Sequence, residues 1–405
     1  SPATPLSSAH ARALNVVEAE VYLDAAATTP PRQDVIEAVV QAQQEAWGNP
    51  SSLHNTGVKA AEFLERLRWK LADRFEVAPD QLIFTSGATE SVHLAILGSA
   101  TTLPPGRIVL SGVEHPAVLA AADQLKNKGW TVAFWPVDAT GVIRLEFLEE
   151  LLAAPTRMVS LIAAQSEVGA LQPVAKVGRA CRARGIRFHS DATQFIPQGC
   201  PEFNGFQADL VSLSAHKFQG PRGIGLLIRD SSLPITPLQG GGGQEFGLRS
   251  GTEALPLIAG MAQAISLLPT CDLNREWIPP GSGPEVRRQR DQLLQALLEL
   301  PGLALLGPDL HQRLPNHIAV LIGATDGQPI PARAMVRELA RRGVACSSGS
   351  ACHSGHRQDS SVLTAMNVPE PWRQSGLRFT LGPWLDDKDL KHVPDLVIAA
   401  QRALS

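Results

Sequence analysis

Charge of one sign, long apolar runs and paired cysteines are all scarce in this chain. Its 36 Lys and Arg stand against 39 Asp and Glu, a formal charge of −3 over 405 residues, which leaves no electrostatic footprint for nucleic acid. No apolar run reaches the length that spans a bilayer, so no membrane partner is expected either. The five cysteines, Cys181, Cys200, Cys271, Cys346 and Cys352, form no Cys-x-x-Cys pair, and an odd number cannot all pair within one chain. A reducing, cytoplasmic setting is therefore expected. Residues Ser1 to Val17 lack the uninterrupted apolar core of a secretory signal and contain no acid. We read them as a loose tail, with the remnant of an organelle transit segment as the alternative. Charged residues make up 19% and hydrophobic ones 44%, which excludes a disordered chain. Length favours two or three domains, and the missing partners favour a small-molecule substrate.

What is present is an alternation of periods. Val58, Ala61, Leu64, Leu67, Leu71 and Phe75 recur at helical spacing, after which Gln81 to Thr85 reads as a strand stopped by Ser86-Gly87. Similar apolar runs fall at Arg107–Leu110, Thr131–Val137, Met158–Ala163, Ile186–Ser190, Leu210–Leu213 and Ile224–Ile228. Helical segments such as Pro116–Lys126 and Val174–Arg184 separate several of them. Alternation of this kind implies crossover connections and an α/β fold with a mostly parallel sheet. A Pro, Gly and polar stretch from Leu268 to Pro284 breaks the pattern, and an amphipathic helix over Glu285–Leu300 begins a smaller second unit.

Two runs carry chemistry. Asp191-Ala192-Thr193-Gln194 and Ser214-Ala215-His216-Lys217 each follow a β-branched, apolar stretch, at the strand ends where an open α/β sheet places its ligands. A lysine amine that can hold an aldehyde, with a buried carboxylate that keeps a pyridine nitrogen protonated, is the pair pyridoxal phosphate requires. Either residue alone is more often a solvated charge or a turn. A phosphate cradle is available in Thr85-Ser86-Gly87-Ala88-Thr89-Glu90, where Gly87 permits a tight turn and a helix start presents free N–H groups and hydroxyls. Ser214, and Thr252 beyond the tract Gly240 to Gly243, add further hydroxyls. That tract is expected to be a loop.

With these motifs in order, the chain resembles the cysteine desulfurases of the class V aminotransferase group, fold type I of the pyridoxal phosphate enzymes. The likeness runs from Tyr22-Leu23-Asp24-Ala25-Ala26-Ala27-Thr28-Thr29-Pro30 to about Leu381-Gly382, through Gly48-Asn49-Pro50, Glu114-His115, Arg249-Ser250-Gly251-Thr252 and Ser347 to Cys352. It implies a large domain with a mostly parallel central sheet flanked by helices, plus a smaller α/β domain. The corresponding division is 1–30 joining the small domain, 31–268 as the cofactor-binding domain, and 269–405 as the small domain carrying Cys352. By the same resemblance Lys217 holds the cofactor covalently, Asp191 pairs with its ring nitrogen, and Gln194 meets its phenolic oxygen. Ala88, Thr89, Ser214 and His216 hold the phosphate, and Thr252 reaches it from the partner of a homodimer. His115 stacks on the ring and shuttles protons, while Arg378 clamps the substrate carboxylate with Asn49 assisting. Without the family pattern, His115 reads equally well as a helix-start residue and Arg378 as half of an ion pair.

Cys352 selects the reaction. It sits in a run of small and polar residues beside His353, His356 and Arg357, neighbours that favour thiolate, whereas a metal site there lacks a fourth ligand. No metal is expected. The resemblance, to the group with an extended loop, implies that L-cysteine yields L-alanine and a Cys352 persulfide; L-selenocysteine is an additional candidate substrate because its selenium leaves more readily. That persulfide passes to an acceptor such as an iron–sulfur scaffold protein. The chain departs from the pattern at Ser166, which stands where an asparagine is usual next to the phenolic oxygen. It departs again at Gln244 and Phe246 in place of His and Arg, and at His93 in place of Asn. It also ends at Ser405, short of the tail by which some relatives dock a scaffold. A carbon–sulfur lyase that releases pyruvate, and a non-catalytic partner protein, remain as the two other readings.

Overall fold

The computed structural model describes residues 20–274, 277–349 and 359–405. Its first strand, β1 (Val21–Tyr22), is followed by helices α1 (Gln33–Glu45) and α2 (Asn55–Phe75). Helix α2 begins three residues before the apolar stripe predicts, because His54 Nδ1 accepts the Gly57 N–H at 3.2 Å and caps it. It ends where Glu76 turns left-handed at φ 53°. Its buried face is Ala60, Leu64, Leu71 and Phe75, and Val58 is left in solvent.

The predicted strands assemble into one seven-stranded sheet. They are β2 (Leu82–Thr85), β3 (Arg107–Ser111), β4 (Thr131–Trp135), β5 (Thr156–Ser160), β6 (Arg187–Asp191), β7 (Leu210–Ser214) and β8 (Gly225–Arg229). Their order is β2-β8-β7-β6-β5-β3-β4, parallel from β7 to β4, with β8 antiparallel to both of its neighbours. The connection from β7 to β8 is too short for a crossover helix, so the chain must return antiparallel, and that short connection carries Lys217. Helices α3 (Ala88–His93, continued by a π-helical turn over Leu94–Gly98), α4 (Pro116–Lys126) and α5 (Val174–Ala183) lie in crossovers, and with α6 (Leu255–Ser266), which follows the last strand of this sheet, they cover the faces. With both faces covered, β6 and β7 in the middle of the sheet are buried along their whole length. Helices α6 and α1 approach closely at Gly260, where a Cβ would lie 2.6 Å from Val39.

A second core gathers Leu293, Leu297, Ile318, Val320, Leu339, Leu377, Phe379 and Val397. Around it stand α7 (Val286–Leu298), α8 (Ala332–Ala340), α9 (Val393–Leu404) and an antiparallel sheet of β9 (Leu303–Leu305), β10 (His317–Ile322) and β12 (Gly376–Thr380). Strand β1 pairs in parallel with β11 (Val344–Ala345), and Leu23 enters this second core. The stretch after Leu268 stays on the larger core through Leu273, Trp277 and Ile278, so the change of core falls near the start of α7.

Candidate active site

Because β2 runs in the same direction as β3 to β7, the segments that follow these strands emerge along one edge of the sheet, the edge where such folds bind ligands. A cavity of about 390 Å³ opens there. It is lined by Ala88, Thr89, His115, Ser166, Asp191, Gln194, Ser214, His216 and Lys217, together with Ser86, Gly87, Thr193, Arg222 and Gly223. Nine positions singled out from the sequence therefore meet at one place. A second cavity of about 490 Å³ shares His115, Ser166, Gln194 and Lys217 and extends to Glu114, Glu167, Ser360 and Arg378.

Asp191 closes β6 with its side chain half committed. Oδ1 accepts from Thr193 N at 3.1 Å, from Thr193 Oγ1 at 2.5 Å and from Ser212 Oγ at 3.4 Å. Oδ2 makes no hydrogen bond among the described residues, and Asp191 borders the cavity. Lys217 Nζ donates to the carbonyls of Ala26 and Ala27 at 2.6 and 2.9 Å. Burial, and then the charge of Arg378, lower this amine to about 8, against the pull of Asp24 and Asp191. His216 is lowered to about 4 by burial and by the charges of Lys217 and Arg222, so it is neutral near pH 7, and its Nδ1 meets Thr28 Oγ1 at 3.0 Å. Gln194 donates to the Ala26 carbonyl at 2.9 Å.

His115 caps α4, its Nδ1 accepting the Ala117 N–H at 3.0 Å, and the residue borders both cavities. Arg378 likewise does more than one thing. On β12 it is 6% exposed, with Nη2 donating to Asp24 Oδ1 at 2.9 Å and Nη1 to the Ser166 carbonyl at 3.1 Å. Its Nε is buried with no partner among the described residues, and the side chain lines the larger cavity with Lys217. The turn Gln165 to Gly169 that presents Ser166 is held from within by Gln165 Oε1, which accepts from the N–H groups of Glu167 and Val168. Gly169 sits at φ 75°, where a Cβ would lie 2.7 Å from the His317 ring, and His317 Nε2 donates to the Ser166 carbonyl at 2.8 Å.

One expectation comes out differently. Gly87 is extended rather than in a tight turn, and a Cβ there would meet only Ser214 Oγ at 3.9 Å, so this glycine leaves the cavity open instead of bending the chain. Asn49 lies at the surface with Oδ1 accepting from Ser51 N and does not border these two cavities; Thr252 is exposed and does not border them either, as expected of a residue that serves the partner's site. The glycine tract is anchored: Glu245, buried, takes the Arg68 guanidinium at 2.5 Å and the Phe84 N–H at 2.9 Å. Of the departures from the family pattern, Gln244 accepts the Gly251 N–H at 2.9 Å, and the ring of Phe246 lies under the Arg68 guanidinium. His93 Nδ1 donates to the Thr89 carbonyl at 2.8 Å.

Cys352, His353, His356 and Arg357 lie outside the described residues. The described residues on either side, Gly349 and Asp359, both line the larger cavity, and Ser360 Oγ donates to Glu167 Oε2 at 2.6 Å on the same wall. Cys181, Cys200 and Cys346 are buried thiols pushed up to about 12 by burial, poor nucleophiles all three.

Some residues here had no assigned role in the sequence. Glu114 is buried and raised to about 8 by burial, although its Oε1 accepts from Ser111 Oγ and Ile162 N; its Oε2 has no partner among the described residues. Asp24 and the carbonyls of Ala26 and Ala27 hold Arg378 and Lys217, yet a backbone acceptor has no residue type by which to be recognised.

The arrangement fits pyridoxal phosphate. A free carboxylate oxygen, a buried amine of lowered basicity and a helix start ringed by Ser86, Thr89 and Ser214 border one cavity that glycine leaves open. Lys217 would carry the aldehyde, Asp191 Oδ2 would face the ring nitrogen, and the start of α3 would hold the phosphate.

Known proteins agree. The profile described as aminotransferase class-V matches residues 21–393. Cysteine desulfurase IscS of Dictyoglomus turgidum is 35% identical over 380 residues, 93% of this chain and 93% of its own length. The mitochondrial cysteine desulfurase of Drosophila melanogaster is 34% identical over 390 residues, 93% of this chain and 81% of its own. Among solved structures, a NifS-like protein superposes with a TM-score of 0.83 at 32% identity, covering 95% of this chain and 99% of the other. SspA in complex with cysteine follows at a TM-score of 0.76 and 29% identity, covering 90% and 99%.

Proposed function

We propose a residue-level course for the reaction of this chain, which belongs to the class V aminotransferase family and, within it, to the cysteine desulfurases. The enzyme depends on pyridoxal phosphate, removes sulfur from L-cysteine and leaves L-alanine, with iron–sulfur synthesis as the usual destination of the sulfur. When bound at Lys217, the cofactor supplies an electron sink for the charge left as the substrate's α-proton departs.

Arg378 receives the substrate carboxylate. Its buried Nε lacks a partner and its guanidinium shares the larger cavity with Lys217, which supports that role. Lys217 Nζ, already lowered in basicity by burial, takes the α-proton. His115, fixed in orientation by its Nδ1 cap, moves the second proton from its Nε2 side. The Cys352 thiolate attacks the substrate sulfur; the new S–S bond forms as the carbon–sulfur bond breaks. Cys352 is left as the persulfide and the carbon skeleton, once protonated, leaves as alanine. Asp191, with Oδ1 held by Thr193 and Ser212, would offer Oδ2 to the cofactor's ring nitrogen and favour its protonated form.

The observation that carries this reading is the meeting of Lys217, Asp191 and the phosphate cradle at one cavity, with Arg378, Gly349 and Asp359 on the wall of the adjoining one. L-selenocysteine fits the same course, since its selenium leaves more readily. The working unit is a homodimer: Ile36, Val40, Trp47, Val58 and Trp69 on and near α1 and α2 are exposed, and so is Thr252, which the partner's phosphate site needs. A sulfur-accepting protein, such as an iron–sulfur scaffold, then takes the persulfide in the cytoplasm. No described helix is long and apolar enough to cross a membrane. The test is turnover of L-cysteine with alanine, pyruvate and persulfide measured together. Wild type gives alanine and a Cys352 persulfide, and Cys352→Ala loses both; pyruvate persisting in the variant would establish a lyase instead.

A further inference from the structure

Strand β6 is a central strand with a polar face. His189, Ser190 and Asp191 are all buried in it, and the strands on either side answer with Ser160 and Ser212 among their apolar residues. Strand period places His189 and Asp191 on one face. Register places Ser160 of β5 beside His189, and Ser212 of β7 beside Asp191. The imidazole bridges the two hydroxyls, Nδ1 to Ser160 Oγ at 2.8 Å and Nε2 to Ser212 Oγ at 2.9 Å. Ser212 Oγ in turn lies 3.4 Å from Asp191 Oδ1.

We propose that Ser160, His189 and Ser212 form a one-way hydrogen-bond chain ending on Asp191, and that His189 is a positioning residue that holds Asp191 as a carboxylate for the reaction. The direction follows from counting protons. A hydroxyl has one hydrogen, and a carboxylate can only accept. For Ser212 to donate to Asp191, it must accept from His189, so the Nε2 atom carries the proton. Nδ1 is then an acceptor, and Ser160 donates to it. Every donor in the series points toward Asp191. Burial supports this direction by disfavouring a charged imidazole: His189 is lowered to about 4, with the negative charge of Asp191 pulling the other way. A neutral ring has the single N–H that a one-way chain requires. The charged or titratable groups that bear on Asp191 from elsewhere are Lys217 and Glu114.

The function of the chain is a division of labour on one carboxylate. Oδ1 is occupied by Thr193 and Ser212, which stabilise negative charge, and Oδ2 is left for the ring nitrogen. This inference rests on the reading of Asp191 as the ring-nitrogen partner.

Two measurements separate the inference from that reading. In the apoprotein labelled with ¹⁵N-histidine, the His189 signal, identified by its loss in His189→Gln, should show a neutral Nε2–H ring across pH 5 to 9. An Nδ1–H tautomer, or titration near the ordinary value of about 6.5, would overturn the proposal. In the reconstituted enzyme, Ser212→Ala and, more weakly, Ser160→Ala should bind cofactor as wild type does yet move the pH titration of its visible band upward. A less positive ring withdraws fewer electrons from the linkage at Lys217. We expect kcat to fall about tenfold in Ser212→Ala, the scale of one lost hydrogen bond to a charged group, with KM for L-cysteine changed less than about twofold. Coincident titrations in wild type and both serine variants would refute the chain while leaving the assignment of Asp191 intact. Failure of wild type to take up cofactor would instead remove the underlying reading.

Discussion

Lys217 sits between charges of both signs, and the balance is testable. Its amine is lowered to about 8 by burial and by Arg378, so the free base grows in as pH rises through that value. Only the free base condenses with an aldehyde. We therefore expect the rate at which apoprotein takes up pyridoxal phosphate, followed by the growth of its visible band, to rise with pH through about 8 and then level. In Arg378→Gln the midpoint moves to higher pH, because a positive neighbour is lost while Asp24 and Asp191 remain. KM for L-cysteine in the same variant rises by one to two orders of magnitude, roughly the 1.5–3 kcal/mol of a charge-assisted hydrogen bond. A midpoint that stays put would show that burial alone sets the amine. The same lowering has a linkage sign: between about 8 and the unfolded value near 10.4 the native amine is neutral while the unfolded one is charged, so this group's contribution to stability increases with pH there.

Among the elements, the glycine tract is the one whose placement is least expected. Gly240 to Gly243 has no side chain with which to pack, and the segment is tied to the body of the sheet through Glu245 just beyond it. Glu245 inserts between α2 and β2 onto Arg68 and Phe84 N, while Arg68 Nη1 also donates to the Leu82 carbonyl. Both charges are nearly excluded from water, so removing one strands the other. Arg68→Met should cost about 3–5 kcal/mol in denaturant unfolding, and adding Glu245→Gln to it should restore a large part of that loss. If the double variant is as unstable as the single one, the pair acts through packing on Phe84 and Phe246 rather than through charge.

At the scale of the whole molecule, exposed apolar surface supports the proposed homodimer. Trp47 and Trp69 are 69% and 62% exposed near the ends of α1 and along α2, a costly display for a lone chain. Light scattering should give twice the mass of a 43.2 kDa chain. Trp69→Glu should shift the population toward monomer, and cofactor affinity should fall with it if Thr252 serves the partner's site. A monomer that binds cofactor normally would count against both statements.

Much of this was legible in the sequence because period and punctuation are local. Seven apolar runs and their intervening helices marked the sheet, with boundaries off by up to three residues, as at the helix that the His54 cap starts early. Lys217, Asp191, His115 and the hydroxyls of the cradle were recognisable because their chemistry resides in side chains of rare combination. Cys352 was named from its surroundings in the sequence and lies outside the described residues. Other features needed three dimensions. The acceptors of Lys217 are backbone carbonyls from residues 26 and 27, which any residue type provides. The ion pair of Arg378 with Asp24 joins two ends of the chain, and the Ser160-His189-Ser212 series joins three strands through register. Sequence by itself determined which residues could do chemistry, since that is a property of functional groups. Tertiary structure decided which of them share a buried space and in what direction their protons point, since burial and hydrogen-bond geometry exist only between elements.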